Sequence, residues 1–214
     1  MIESEMSFWI VSTESWPGDW GFMAIDSATV SKGSIQFAKF LREKALDLAE
    51  IESETSLEVT DCPTKERYYN QHLSAILLFS ELCRIGIKIH FMYPMAKVFA
   101  ARKFNVAADK IQERDAIEFL KEHVNILAGH LRAGLEVVGI PVGHSLPFAV
   151  QGYNEVFFDK DIKSSFSGTF RVGNDDISMV YSYDLTVLSS EAEDKLKNLG
   201  QNIEKTQRGA FEVL

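Results

Sequence analysis

Glu122 and Asn125 stand three residues apart in the run Glu122-His123-Val124-Asn125-Ile126-Leu127-Ala128-Gly129. On a helix that spacing puts a carboxylate and a carboxamide on one face, one turn apart, where both can reach a single target. The amide donates and accepts hydrogen bonds at once, so it can hold a water, while the carboxylate can pair with a cation. Such a pair can be offered to the active site of another protein. A Glu-x-x-Asn arises readily by chance in a chain of 214 residues, so its surroundings decide its meaning.

Those surroundings are one long amphipathic helix, expected to open near Asp109 and run to Val138, closed by Gly139 with Pro141 just beyond. At 100° per residue, Ile117, Leu120, Val124, Leu127, Leu131, Leu135 and Val138 fall within an arc of about 80°, a face made for burial. Opposite runs a second stripe of Glu118, Glu122, Asn125, Gly129, Arg132 and Glu136. Gly129 costs a helix interior about 1 kcal/mol relative to alanine. Close approach of another backbone or a ligand over the bare spot would compensate. By the residues themselves a solvated face with an accidental glycine is the leading reading, and a docking face the second.

Other chemistry finds little support. His123 and His130 share a side of the helix beside Phe119, Ile126 and Val137, but the helix places no third ligand there, so a partly buried, hydrogen-bonded pair is expected rather than a metal site. His72, His90 and His144 have no partner that sequence identifies. There is no Gly-rich phosphate loop, no Gly-x-Ser-x-Gly elbow and no His-Glu-x-x-His. A formal net charge of −9 without a basic cluster argues against nucleic acid. Cys62 and Cys83 alone make neither a disulfide framework nor a zinc spacing, which suits a reducing cytoplasm. The acidic start Met1-Ile2-Glu3-Ser4-Glu5 is unlike a signal peptide, and the apolar run 8–11 is too short to cross a membrane.

The elements that must position the helix can be read in order. Residues 6–25 carry Trp9, Trp16 and Trp20 around a Pro17-Gly18-Asp19 turn and predict a short hairpin, its aromatics serving either burial and self-association or a partner site. A first helix is expected after a Ser34 cap, with Phe37, Ala38, Leu41, Ala45, Leu48 and Ala49 on one stripe. Residues 50–72 lose that period and predict a loop. Ser74–Phe79 and Ile85–Tyr93 predict paired strands, followed by a short helix from Met95 to Phe104. Beyond the long helix come short strand candidates at Phe148–Val150 and Val156–Phe158. A hairpin follows, Phe166–Val172 and Ile177–Leu188 about the turn Gly173-Asn174-Asp175-Asp176, with Ile177, Met179, Tyr181, Tyr183, Leu185 and Val187 sharing a face. Residues 190–206 predict a charged terminal helix. The fold class is α+β, an antiparallel sheet packed by two long helices in a pseudo-repeated helix-plus-hairpin arrangement.

From Gly86 to Gly152 the chain resembles the CheC/CheX/FliY family of chemotaxis phosphatases, and CheX-type members most closely. The likeness is an ordered series: the strand Gly86-Ile87-Lys88-Ile89-His90-Phe91, the short helix 95–104, the helix with Glu122-x-x-Asn125-x-x-x-Gly129, then Ser145-Leu146-Pro147-Phe148-Ala149-Val150-Gln151-Gly152. The last run keeps one of the two prolines of the family's segment. Lys121 and Val124 stand where the family tends to have small residues, and the single Glu-x-x-Asn follows the CheX rather than the CheC pattern.

The resemblance implies a CheX-like domain over 34–188, an aromatic-rich extension over 1–33 and a charged helix or tail over 189–214. It implies hydrolysis of the phosphoaspartate of a CheY-like response-regulator receiver, with Asn125 orienting the attacking water and Glu122 pairing with the receiver's lysine. Glu118, Gly129 and Arg132 would line the docking face. No cofactor of its own is implied, the Mg²⁺ belonging to the receiver. A cytoplasmic homodimer is implied too, with no membrane insertion. The alternative is a non-catalytic CheX-like adaptor for a signalling partner.

Overall fold

The computed structural model describes residues 31–61, 72–151, 166–173 and 178–199. The expected hairpin at 6–25, the strand candidate at 156–158 and Ile177 lie outside them.

Helix α1 spans Lys32–Ser53, and every residue of the predicted stripe from Phe37 to Ala49 is buried. Its cap is Ser31 rather than Ser34. The Ser31 hydroxyl accepts from the Ser34 amide at 3.1 Å, satisfying one of the free donors at the helix start. The other end also differs from expectation. The first residues of the predicted 50–72 loop continue the helix to Ser53, where Glu54 closes it in the left-handed conformation. Strand β1 (Glu58–Asp61) follows. The polar residues there hid both elements, because Glu52 is buried despite its charge and β1 is an edge strand with a mostly exposed, polar surface.

Strands β2 (His72–Phe79) and β3 (Cys83–Phe91) form the first predicted hairpin. In β3 the odd positions from Cys83 to Phe91 are all buried, so period-2 alternation decided this strand's face. Helix α2 (Tyr93–Phe104) begins two residues before the expected Met95, since Pro94 sits in its first turn, where a missing N–H costs nothing. After a single 3-10 turn at Ala108–Lys110 comes α3, Glu113–Val137, opening at Gln112 rather than Asp109. It closes as predicted: Gly139 has φ +76°, and the amides of Gly139 and Ile140 reach back to the carbonyls of Glu136 and Leu135 at 3.0 and 2.8 Å.

The chain then makes β4 (Gly143–His144), β5 (Phe148–Gln151), β6 (Phe166–Gly173) and β7 (Ser178–Leu188). All pairings are antiparallel, in the order β1-β6-β7-β3-β2-β4, with β5 also on β2. The two helix-plus-hairpin halves meet where β3 pairs β7 at the centre. Each also lends a strand to the other: β1, which follows α1, pairs with β6, while β5, which follows α3, pairs with β2. One predicted detail fails. Val187 does not share the buried face of Tyr181 to Leu185, because the register slips between Arg84 and Ile85, and the extra residue turns Val187 to solvent and Leu188 toward the core.

One core unites the inward faces of β2, β3, β6 and β7 with α1, α2 and α3. The short α4 (Ser190–Leu196) joins it through Ala192 and Leu196, followed by Leu199. It lies so close to α1 that a Cβ on Gly33 would meet the Glu193 carbonyl oxygen at 2.5 Å. No described helix is long and apolar enough to cross a membrane.

Candidate functional site

Helix α3 turns its two stripes as the periodicity requires. Leu120, Val124, Leu127, Leu131 and Leu135 have no exposure, Val138 is buried, and Ile117 is half-buried. On the opposite side Glu118, Glu122, Gly129, Arg132 and Glu136 are exposed and Asn125 is half-buried. The Asn125 Nδ2 donates to Glu122 Oε2 at 3.5 Å, the outer limit of a hydrogen bond. Carboxylate and carboxamide therefore stand side by side, turned outward, with their hydrogen-bonding capacity largely unspent.

The flanking residues define the rest of this face. Lys121 gives its ammonium to both oxygens of Glu118, at 2.8 and 2.9 Å. Its charge is thereby answered one turn before the Glu122–Asn125 pair. Val124 is buried and contributes nothing to the surface. Arg132 is drawn along the helix to Glu136, Nε to Oε1 at 2.9 Å. Over Gly129 nothing in the described chain approaches: a Cβ placed there would find no atom within 4 Å. The close approach expected at this glycine is not made by the described chain itself, and the bare spot is open.

This site is an outward-facing helix surface. A shallow depression beside Glu54, Arg102 and Asn105, and an apolar one between Ile35, Ala38, Leu46 and Val59, lie elsewhere. Small-molecule sites are concave and enclose their ligands, so an outward-facing Glu–Asn pair suits a macromolecular partner that brings its own cleft. Among the described residues no three His, Cys, Asp or Glu side chains gather where a metal could sit.

The histidines divide. His123 is wholly buried, Nδ1 against a Glu52 carboxylate oxygen and Nε2 2.8 Å from the Tyr181 hydroxyl. His130 is exposed, so the expected histidine pair does not form. The reason is coverage: α2, stacking Phe99 on Phe119, and the end of α1, carrying Glu52, cover only the first half of that side. Burial and the nearby Glu52 carboxylate hold the Tyr181 phenol well above its ordinary pKa, so its hydroxyl keeps its proton. Sequence reading missed Glu52 and its contact, although Glu52 continues the spacing of Leu48 and Ala49 on the α1 stripe. Of the remaining histidines, His90 meets Ser182 Oγ at 3.2 Å, and burial, helped by Lys88, lowers its pKa to about 4. His144 Nδ1 lies 3.1 Å from the Ser145 carbonyl oxygen.

The Ser145–Phe148 run leads into β5 along the sheet edge. Ser145 exchanges hydrogen bonds with the Leu77 backbone: its amide donates to Leu77 O at 2.8 Å and its hydroxyl accepts from Leu77 N at 3.1 Å.

An antiparallel sheet with an internally repeated order, packed by two long helices, defines a class of fold. The chain has the CheC/CheX/FliY fold. Among solved structures it is similar to a CheC-like superfamily protein from Shewanella sp. PV-4, with TM-score 0.60 and 12% identity, spanning 71% of this chain and 97% of that one. The chemotaxis protein CheX from Vibrio vulnificus gives 0.58 and 12%, over 70% and 99% of the two chains. CheX from Borrelia burgdorferi, solved in complex with CheY, BeF3 and Mg²⁺, gives 0.54 and 15%, over 72% and 98%. No protein-family model matches the sequence, and no curated protein matches it.

Proposed function

We propose that this protein hydrolyses the phosphoaspartate of a CheY-like receiver domain, with Asn125 orienting the attacking water and Glu122 pairing with a receiver lysine. The observation that carries the reading is the outward Glu122–Asn125 pair at 3.5 Å, on the long helix of a fold shared with a CheX that has been solved bound to CheY.

The chemistry suits so sparse a site. Phosphoryl transfer asks little covalent work of a protein, so placing a water in line with the scissile bond supplies most of the rate. A neutral carboxamide can hold that water without repelling the phosphoryl group. The Glu122 carboxylate, worth little in water, sets register once the interface excludes solvent. Gly129 and the neutralised Lys121 leave room for the receiver beside the pair, with Glu118 and Arg132 at the margin of the docking face. On this reading the Mg²⁺ comes with the receiver, the protein needs no cofactor of its own, and it works in the cytoplasm as a homodimer.

The test is phosphate loss from a panel of phosphorylated receivers with Mg²⁺, with and without the protein. Wild type should accelerate loss from at least one receiver, and Asn125→Ala should cut that rate about a hundredfold while binding persists. Wild type that binds a receiver without hastening hydrolysis would make the protein an adaptor. No effect of Glu122→Ala or Asn125→Ala on binding or turnover would reduce the stripe to ordinary surface.

A further inference from the structure

Helix α3 can place Glu122 and Asn125 for a partner only if its own position along the sheet is unique. Its apolar stripe is poorly suited to ensure this. A slip of four residues, about 6 Å along the axis, puts Leu127 where Leu131 sits and Leu131 where Leu135 sits. Hydrophobic burial is non-directional, and cores of conserved volume repack with modest loss. The Phe119 ring stacked on Phe99 adds bulk to the contact but no hydrogen-bond direction.

His123 is different in kind. It sits in the same turn as Glu122 and Asn125, and each ring nitrogen has one partner, on two separate elements: Glu52 from the last turn of α1 and Tyr181 from the inward face of β7. His123 and Tyr181 are 0% exposed and Glu52 is 4% exposed. A buried polar cluster of this sort adds little net stability over apolar side chains of equal volume, because its desolvation offsets its attraction. Its energetic weight falls on wrong arrangements, since any slip of α3 would strand three buried polar groups at once.

We propose that the Glu52–His123–Tyr181 triad is a register pin for α3, fixing where along the sheet the helix sits and therefore where Glu122 and Asn125 stand. These are positioning residues, and their link to turnover rests on the phosphatase reading above, whereas the pin itself does not.

The experiment replaces the triad by apolar residues of similar volume, Glu52→Met, His123→Leu and Tyr181→Phe together, in the full chain. The replacement should fold and melt at or above the wild-type temperature, while its α3 backbone amides double or broaden in NMR spectra. Dephosphorylation of a receiver should fall about a hundredfold although Glu122 and Asn125 are intact. Tyr181→Phe alone keeps the Glu52–His123 bond and should retain a single set of α3 amides. A triple variant with one sharp, wild-type set of α3 amides would overturn the pin. So would a triple variant that fails to fold while Tyr181→Phe is as stable as wild type, since the triad would then be a support of stability. Wild type inactive on every receiver defeats the phosphatase reading only, because the amide spectra still decide the pin.

Discussion

Helices α1 and α3 occupy equivalent places in the internal repeat, each preceding a strand that crosses to the other half's hairpin, yet their outer surfaces differ. On α1 the exposed Glu43 and Asp47 both take hydrogen bonds from Lys44, at 2.7 and 3.0 Å, and its glycine, Gly33, is buried beneath α4. On α3 the Glu122–Asn125 pair meets only across 3.5 Å, and its outward glycine has open space above it. A repeat supplies two scaffolds, and here the glycine of one is closed over by α4 while that of the other is left open. The difference supports α3, rather than α1, as the face proposed for the partner.

Substitutions can break that contrast or sharpen it. The largest stability effect should come from the contact that joins the two helices. His123→Ala strands the buried Glu52 carboxylate and should cost about 3–5 kcal/mol in urea denaturation. A cost under about 1 kcal/mol would show that water or a rearranged partner reaches Glu52. Next is a single substitution with opposite signs on the two helices. Gly33→Ala drives a methyl into the Glu193 carbonyl oxygen and should destabilise by about 1–3 kcal/mol. Gly129→Ala meets nothing and should stabilise by about 1 kcal/mol through helix propensity alone. Equal signs at the two positions would erase the distinction between a closed and an open helix.

The smallest effect concerns Lys121. Its pair with Glu118 is exposed, so Lys121→Ala should change stability by less than about 1 kcal/mol. On the proposed function its mark should lie in receiver association, where unmasking Glu118 would make the docking face more acidic and the on-rate more sensitive to salt. An on-rate with unchanged salt dependence would show that Lys121 lies outside the docking face.

Much of the fold was legible because its signals are local. The β3 alternation from Cys83 to Phe91, the α1 stripe from Phe37 to Ala49 and the Gly139 closure of α3 each follow from a few neighbouring residues and a fixed period. The local signal fails where a residue's role depends on something distant. In sequence Glu52 belongs to a polar stretch, because a buried carboxylate looks like an exposed one until its partner is known. Alternation groups Val187 with Tyr181 to Leu185 because it assumes an uninterrupted ladder, and a one-residue slip against Arg84 is invisible in β7 itself.

The sequence by itself determined which sides of α3 face inward and outward, and hence that Glu122, Asn125 and Gly129 are presented together, because helical geometry links residues three and four apart whatever surrounds them. Only the tertiary structure decided that Gly129 is bare and that β1 and β5 cross between the halves. It alone joined His123 to Glu52, 71 residues away, and to Tyr181, 58 away. Partners so distant are set by how helices and sheet pack, and no local period carries that information.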